Sequence, residues 1–90
     1  MQVKYFSDQL QLSKSNPRML EKAEEHSRLL AVRAGTSALN NSIRQMACID
    51  LACQQYGVSF DRAKAMKLCG ANEKTYLMWL SNTQGILGIS

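Results

Sequence analysis

Hydrophobic residues recur every three or four positions along most of this chain, a spacing that predicts amphipathic α-helices. The first predicted helix covers residues 2–12. Asn16 followed by Pro17 signals the start of a second helix, because Asn is favoured at the N-cap and Pro at the first helical position. Gly35 ends that helix, and residues 13–16 form the loop before it. The expected core-facing residues of these two helices are Val3, Phe6, Leu10, Leu12, Met19, Leu20, Ala23, Leu30 and Val32 or Ala34.

A third helix is predicted from Ser42 to about Gln55, after a polar connection and with Asn40 or Asn41 as its N-cap. Its apolar residues cover nearly the whole circumference, a pattern that is typical of a helix buried on several sides. We therefore expect it to be the central helix of the domain. Asp50 lies among these apolar residues, so its carboxylate must either occupy one exposed strip or be bonded inside the protein.

The C-terminal third predicts two short helices around the turn Cys69-Gly70-Ala71. Ser59 is the expected N-cap of the first, Phe60 to Leu68, and Asn72 that of the second, Glu73 to about Ile86. Two helices joined by a tight glycine-containing turn have the outline of a helix-turn-helix, which presents a helix to DNA. The residues expected to face the core are Ala63, Ala65, Met66, Cys69, Tyr76, Met78 or Trp79, and Leu80.

Composition agrees with an all-α fold, since good helix formers dominate and the chain has a single Pro. Ninety residues make one small domain, residues 1–90. Apolar residues near its end suggest that it is the N-terminal part of a longer chain. The net charge of +4 fits an acidic partner such as nucleic acid. However, residues 1–45 contribute +3 and residues 46–90 only +1, so the helix-turn-helix half is the less basic one.

Few residues in the chain have side chains that could catalyse a reaction or bind a metal ion. Cys48, Cys53 and Cys69 lie within apolar helical patterns, and one His accompanies them, which favours reduced, buried thiols over a zinc site. Asp50 lacks an evident catalytic partner, and His26 lies on a polar face, where we expect a surface side chain. We therefore expect neither enzymatic activity nor a cofactor. The sequence shows no signal peptide and no membrane-spanning stretch, so we expect no membrane partner.

Four pieces of the sequence carry a family resemblance. They are PRMLEKAEEHSRLL from Pro17 to Leu30, CIDLA from Cys48 to Ala52, FDRAKAMKLCGANEKTY from Phe60 to Tyr76, and LGI from Leu87 to Ile89. In this order and spacing they resemble the N-terminal domain of the sixth subunit of the eukaryotic origin recognition complex, over roughly residues 16–89. The resemblance implies a cyclin-like box of five helices with a buried third helix, similar to the boxes of transcription factor IIB.

The resemblance also implies a function. That family binds DNA and takes part in replication initiation, which implies a nuclear protein whose partners are double-stranded DNA and the other subunits of the complex. The family's DNA contacts fall on the stretch that matches Lys67 to Gly70 and just after it. The residues indicated as DNA-binding in this chain are Lys64, Lys67, Cys69 and Lys74. We expect these contacts to engage the phosphate backbone and to be weak and salt-dependent.

Two residues differ from the usual pattern of that family, which has Ser at the position of Cys69 and Lys at the position of Glu73. A thiol bonds a phosphate less well than a hydroxyl does, and a carboxylate repels phosphate, so both differences predict a weaker DNA contact. Two alternatives stay open from the residues alone. The chain could be a protein-interaction module of the same fold, or a box of a transcription-initiation factor.

Overall fold

The computed structural model describes residues 2–12 and 14–89 of the chain. The helices are α1 (Gln2–Gln9), α2 (Pro17–Ala34), a 3-10 segment (Thr36–Asn40), α3 (Ser42–Tyr56), α4 (Arg62–Cys69) and α5 (Glu73–Leu87). These residues contain five α-helices and no strand, which confirms the predicted all-α fold. Ser13, part of the predicted first loop, lies outside the described residues. None of these helices is both long and apolar enough to cross a membrane.

Helix α3 is the central helix, as predicted. Its residues 45–53 form one continuous buried run, and the other four helices all pack against it. A polar side chain inside such a helix needs internal partners. Gln45 has two, because its Nε2 donates to the carbonyl of Ala38 at 3.0 Å and its Oε1 accepts from Ser27 Oγ at 2.6 Å. The buried side chains that the rest of the chain contributes to the core include Val3, Phe6, Met19, Ala23, Leu30, Ala65, Tyr76, Leu80 and Leu87.

Capping side chains set where α3 and α4 begin. Asn41 caps α3 by accepting hydrogen bonds from two backbone N–H groups of its first turn. The fourth helix is capped by Asp61, whose Oδ1 accepts from the N–H of Lys64 at 3.1 Å. The predicted cap was Ser59. Because Asp61 is the cap instead, the helix begins later than predicted, at Arg62. An Asp caps as well as a Ser, and its charge also interacts favourably with the helix dipole.

The segment between α1 and α2 departs from the predicted pattern. Helix α1 ends at Gln9 and not at residue 12, because Gln11 adopts a left-handed conformation with φ 59° and closes the helix. Leu12 is buried beyond this turn, as its side chain was expected to be. Asn16 occupies the N-cap position of α2, but its side chain does not cap the helix. Its Nδ2 donates instead to the carbonyl of Leu12 at 3.0 Å.

Two predictions of burial are wrong. His26 is buried, not exposed, and its Nε2 lies 2.7 Å from Gln55 Oε1 on α3. It lies one turn from the buried Ala23 and Leu30, so its ring takes part in the contact between the two helices. Ala63 is exposed, since it lies about 200° around α4 from the buried Ala65. Two predictions left a pair of residues open. Of Val32 and Ala34, the structure partly buries Ala34, and of Met78 and Trp79, it partly buries Trp79; Val32 and Met78 are exposed.

All three cysteines are free thiols. Cys48 and Cys53 are fully buried in α3, and burial raises the pKa of each thiol to about 12. Cys69 is only half-buried, so the prediction of a buried thiol holds in part there. Burial also raises the pKa of the Cys69 thiol.

We expect the raised thiol pKa values to make the fold sensitive to alkali. In the unfolded chain Cys48 and Cys53 ionise near their usual pKa of 9.0, whereas in the fold they stay protonated to about 12. The free energy of unfolding should therefore fall as pH rises above about 9, by up to roughly 1.4 kcal/mol per thiol and pH unit. Urea unfolding in reducing buffer between pH 8 and pH 10.5 measures this slope. The double variant Cys48→Ala, Cys53→Ala should show a shallower slope, and an equal slope would contradict the explanation.

Candidate nucleic-acid interface

A buried carboxylate ties together the three helices that form the C-terminal half. Asp50 on α3 is 1% exposed, and its Oδ2 accepts from the Tyr76 hydroxyl of α5 at 2.8 Å and from Arg62 Nε of α4 at 3.2 Å. Oδ1 accepts from Gln54 Nε2 at 3.0 Å. Of the two environments predicted for Asp50, the structure shows the internal one.

This network costs free energy to bury and is stable only when complete. A buried carboxylate without partners is strongly unfavourable, so removing one donor from Asp50 leaves part of that cost uncompensated. Burial, and then the nearby charge of Asp50, raise the pKa of Tyr76 above its usual value. Its hydroxyl therefore stays protonated and donates. Because Arg62 is the first residue of α4 and Tyr76 lies in the first turn of α5, the network positions the start of each helix.

The turn between α4 and α5 has a closed geometry. Gly70 adopts the left-handed conformation with φ 70°, which favours glycine. The N–H of Ala71 donates to the carbonyl of Met66 at 3.0 Å, the closure expected of a Schellman motif. Asn72 then caps α5, as predicted, by accepting from the N–H of Thr75 at 2.8 Å. The end of one helix and the start of the next are thus both fixed by local hydrogen bonds.

The predicted DNA-binding lysines flank this turn. Lys64 and Lys67 are exposed on α4 one turn apart, so they share a face of the helix. Lys74 is exposed at the second position of α5. None of the three forms a salt bridge within the part of the chain that the structure describes. Residues 75–90 contain no charged side chain, so the cations of the C-terminal half other than Arg62 are these three lysines.

The two residues that differ from the usual pattern of the similar family lie on either side of Gly70, at the end of α4 and the start of α5. The thiol of Cys69 is half-buried and donates to the carbonyl of Met66, with 3.8 Å between Sγ and the oxygen. Since burial raises its pKa, this thiol is neutral and its hydrogen is directed to the backbone. Glu73 is exposed at the first position of α5, where its charge interacts favourably with the helix dipole.

The structure also shows contacts that sequence reasoning missed. The guanidinium of Arg44 on α3 stacks over the ring of Trp79 on α5, 4.7 Å from its centroid, and donates to Asn82 Oδ1 at 3.3 Å. These residues are far apart in sequence, and no local signal pairs them. For the Asp50 network a signal did exist, since a carboxylate in an apolar run requires a donor. No cluster of three or more His, Cys, Asp or Glu that could hold a metal ion occurs in residues 2–12 and 14–89.

We expect the hydroxyl of Tyr76 to be important for stability. In Tyr76→Phe the carboxylate of Asp50 loses one donor and stays buried, which should lower the free energy of unfolding by about 1–3 kcal/mol. Tyr56→Phe provides the matched control, because the side chain of Tyr56 is exposed and the change should cost less than about 0.5 kcal/mol. Urea denaturation of both variants measures the difference. Equal stabilities would show that the bond between Tyr76 and Asp50 contributes nothing.

Comparison with known proteins relates the chain to one family. Residues 7–90 match the family model of origin recognition complex subunit 6. The chain is 37% identical over 81 residues to origin recognition complex subunit 6 of Homo sapiens, covering 88% of this chain and 32% of the human protein. It is 32% identical over 91 residues to origin of replication complex subunit 6 of Oryza sativa subsp. japonica, covering 99% and 30%.

A third relative is origin recognition complex subunit 6 of Drosophila melanogaster, 36% identical over 66 residues that cover 71% of this chain and 26% of the fly protein. The chain therefore spans about a third of the length of the curated relatives that it matches. No solved structure gives a significant match.

Proposed function

The chain belongs to the family of origin recognition complex subunit 6, and on this basis we propose that it is a non-enzymatic DNA-binding and assembly module of the origin recognition complex. Its proposed role is in the initiation of DNA replication, in the nucleus, together with the other subunits of the complex. All three relatives described above are named as subunits of such complexes, which favours replication over a role in transcription initiation.

The proposed DNA contact is made by Lys64, Lys67 and Lys74. The observation that supports it is their exposure on both sides of one closed turn, without salt-bridge partners among the described residues. Lysines bind phosphates as point charges, so they attach the domain to the DNA backbone and read no base sequence. The logarithm of the binding constant falls linearly with the logarithm of the salt concentration, and each phosphate that the protein neutralises makes this slope steeper by about 0.9. Three lysines therefore support weak and strongly salt-dependent binding.

Cys69 is the least favourable of the proposed DNA-binding residues. Cys69 lies between Lys67 and Gly70, but its thiol has a single hydrogen, which it donates to the carbonyl of Met66. The thiol therefore has no hydrogen left to donate to a phosphate. Glu73 is exposed next to Lys74, and its charge repels a phosphate that this lysine attracts. The proposed contact is therefore weaker than one made by the usual residues of the family.

We also propose that residues 1–90 form a single cyclin-like box, as the resemblance implies. The arrangement that supports it is α3, buried over residues 45–53, with α1, α2, α4 and α5 packed around it. In this fold, the Asp50 network sets the position of both helices that carry the lysines.

The first test of the DNA contact removes lysines. Lys67→Ala and Lys74→Ala should each weaken binding of a labelled duplex by roughly threefold to tenfold at low salt and reduce the salt slope by about one. Fluorescence anisotropy at several salt concentrations measures both quantities. Lys14→Ala is the matched control, because Lys14 is exposed in the connection between α1 and α2 and its loss should change little. Unchanged binding in both Lys67→Ala and Lys74→Ala would refute the assignment.

The second test restores the usual residues of the family. Glu73→Lys should strengthen binding and steepen the salt slope by about one, because it removes a repulsive charge and adds an attractive one next to Lys74. Glu21→Lys is the matched control for net charge, since Glu21 is exposed on α2. Cys69→Ser should add a smaller gain through a hydroxyl that can donate to phosphate. An equal gain from Glu21→Lys would show that only net charge matters.

A further inference from the structure

A second surface lies on helices that do not carry the lysines. It is a groove of about 870 Å³ between α1, the C-terminal half of α2, the 3-10 segment and the first turn of α3. Helix α4, in contrast, packs mainly against α3. We call this surface the α2 groove. Its lining residues include Tyr5, Arg28, Ala31, Val32, Leu39 and Asn40.

The α2 groove exposes large hydrophobic side chains to solvent. Val32 is 81% exposed, Tyr5 57% and Leu39 38%, and these three belong to different elements of the fold. They are half of the large hydrophobic side chains that are exposed in residues 2–12 and 14–89. Exposed apolar side chains that converge on one concave surface are a feature of binding sites rather than of ordinary protein surface.

The charge of the α2 groove is positive. Arg28 is its only charged lining residue and forms no salt bridge within the described part of the chain. The guanidinium groups of Arg33 and Arg44 contact α5 instead, so the positive charge at the groove is that of Arg28. A ligand that fills the groove therefore gains most if it combines apolar side chains with carboxylates.

The floor of the α2 groove is preformed. Gln45 lies there fully buried, and its side-chain amide is held by Ser27 of α2 and by the carbonyl of Ala38 in the 3-10 segment. These two bonds fix the distance between α2 and the 3-10 segment, the walls that carry Val32 and Leu39. A preformed groove reduces the entropy that a ligand must lose on binding.

We propose that the α2 groove binds a short amphipathic acidic segment of a partner protein, with its apolar side chains against Tyr5, Val32 and Leu39. A carboxylate of the segment pairs with Arg28. This surface goes beyond the proposed DNA contact and depends on the proposed assembly role only for the existence of a protein partner. Because it shares no residue with the lysines around Gly70, the two proposals fail independently.

The test uses two designed peptides and the whole chain. The acidic peptide has 12 residues, with Leu at every third or fourth position and Glu between them, and the basic peptide carries Lys in place of each Glu. Backbone amide shifts in two-dimensional NMR locate binding, and fluorescence anisotropy measures affinity. We expect the acidic peptide alone to shift the amides around Tyr5, Val32 and Leu39. No binding, equal binding of the basic peptide, or shifts confined to α4 and α5 would overturn the proposal.

Two pairs of variants distinguish specific binding in the α2 groove from non-specific binding to the protein surface. Val32→Gln and Arg28→Glu should each weaken binding of the acidic peptide about tenfold, the effect of losing roughly 1.4 kcal/mol at a central contact. Their matched controls are Met78→Gln on α5 and Arg18→Glu at the start of α2, both at exposed positions outside the groove. Near-unchanged affinity in the controls supports the proposal, and equal losses in test and control variants refute it.

Two other occupants would also contradict the proposal. If the protein dimerises in analytical ultracentrifugation and Val32→Gln abolishes the dimer, the groove binds a second copy of the chain. If duplex DNA shifts the amides of Tyr5 and Leu39 and Arg28→Glu abolishes DNA binding, the groove is part of the DNA contact. The expected results are a monomer, and DNA-induced shifts that stay near Lys67 and Lys74.

Discussion

The burial of residues 45–53 of α3 is the constraint on which the rest of the structure depends. Every polar side chain along its buried run must find a partner on a neighbouring element, because water cannot reach it. Gln45 satisfies this requirement with α2 and the 3-10 segment, and Asp50 with α4 and α5. These hydrogen bonds depend on angle as well as distance, whereas apolar contacts are not directional. The polar residues of α3 thus position its neighbours, while its apolar residues supply most of the driving force for burial.

This division explains why two different surfaces occur on so small a domain. Asp50 holds the starts of α4 and α5, and the three lysines of the C-terminal half lie on both sides of the turn that joins these helices. Near the start of α3, Gln45 holds the walls of the α2 groove, in which Arg28 is the only charged lining residue. Each surface is therefore fixed to the same central helix through a different polar side chain. The sites can differ in chemistry because no side chain serves both.

Features of the fold that are set by neighbouring residues could be predicted from the sequence, whereas features set by distant residues could not. Periodicity and caps placed five helices and a central α3, because those signals lie within a few residues of their effect. At the start of α4, where Asp61 and Ser59 are both good caps, local signals did not decide between them. His26 was placed on the surface because its sequence neighbours are polar, yet its partner Gln55 lies 29 residues away. Two of the three partners of Asp50, Arg62 and Tyr76, lie 12 and 26 residues away, so the need for donors could be predicted but not these donors.

The same reasoning bears on how a weak DNA contact can be useful. Three lysines on a turn, with Glu73 beside them, support little affinity alone. When a domain is held near DNA by another contact, its weak site works at an effective concentration that can reach the millimolar range. A docking groove on separate helices would supply such a contact without obstructing the turn. Weak lysine contacts then become an advantage, since they attach the domain only where the assembly has already placed it.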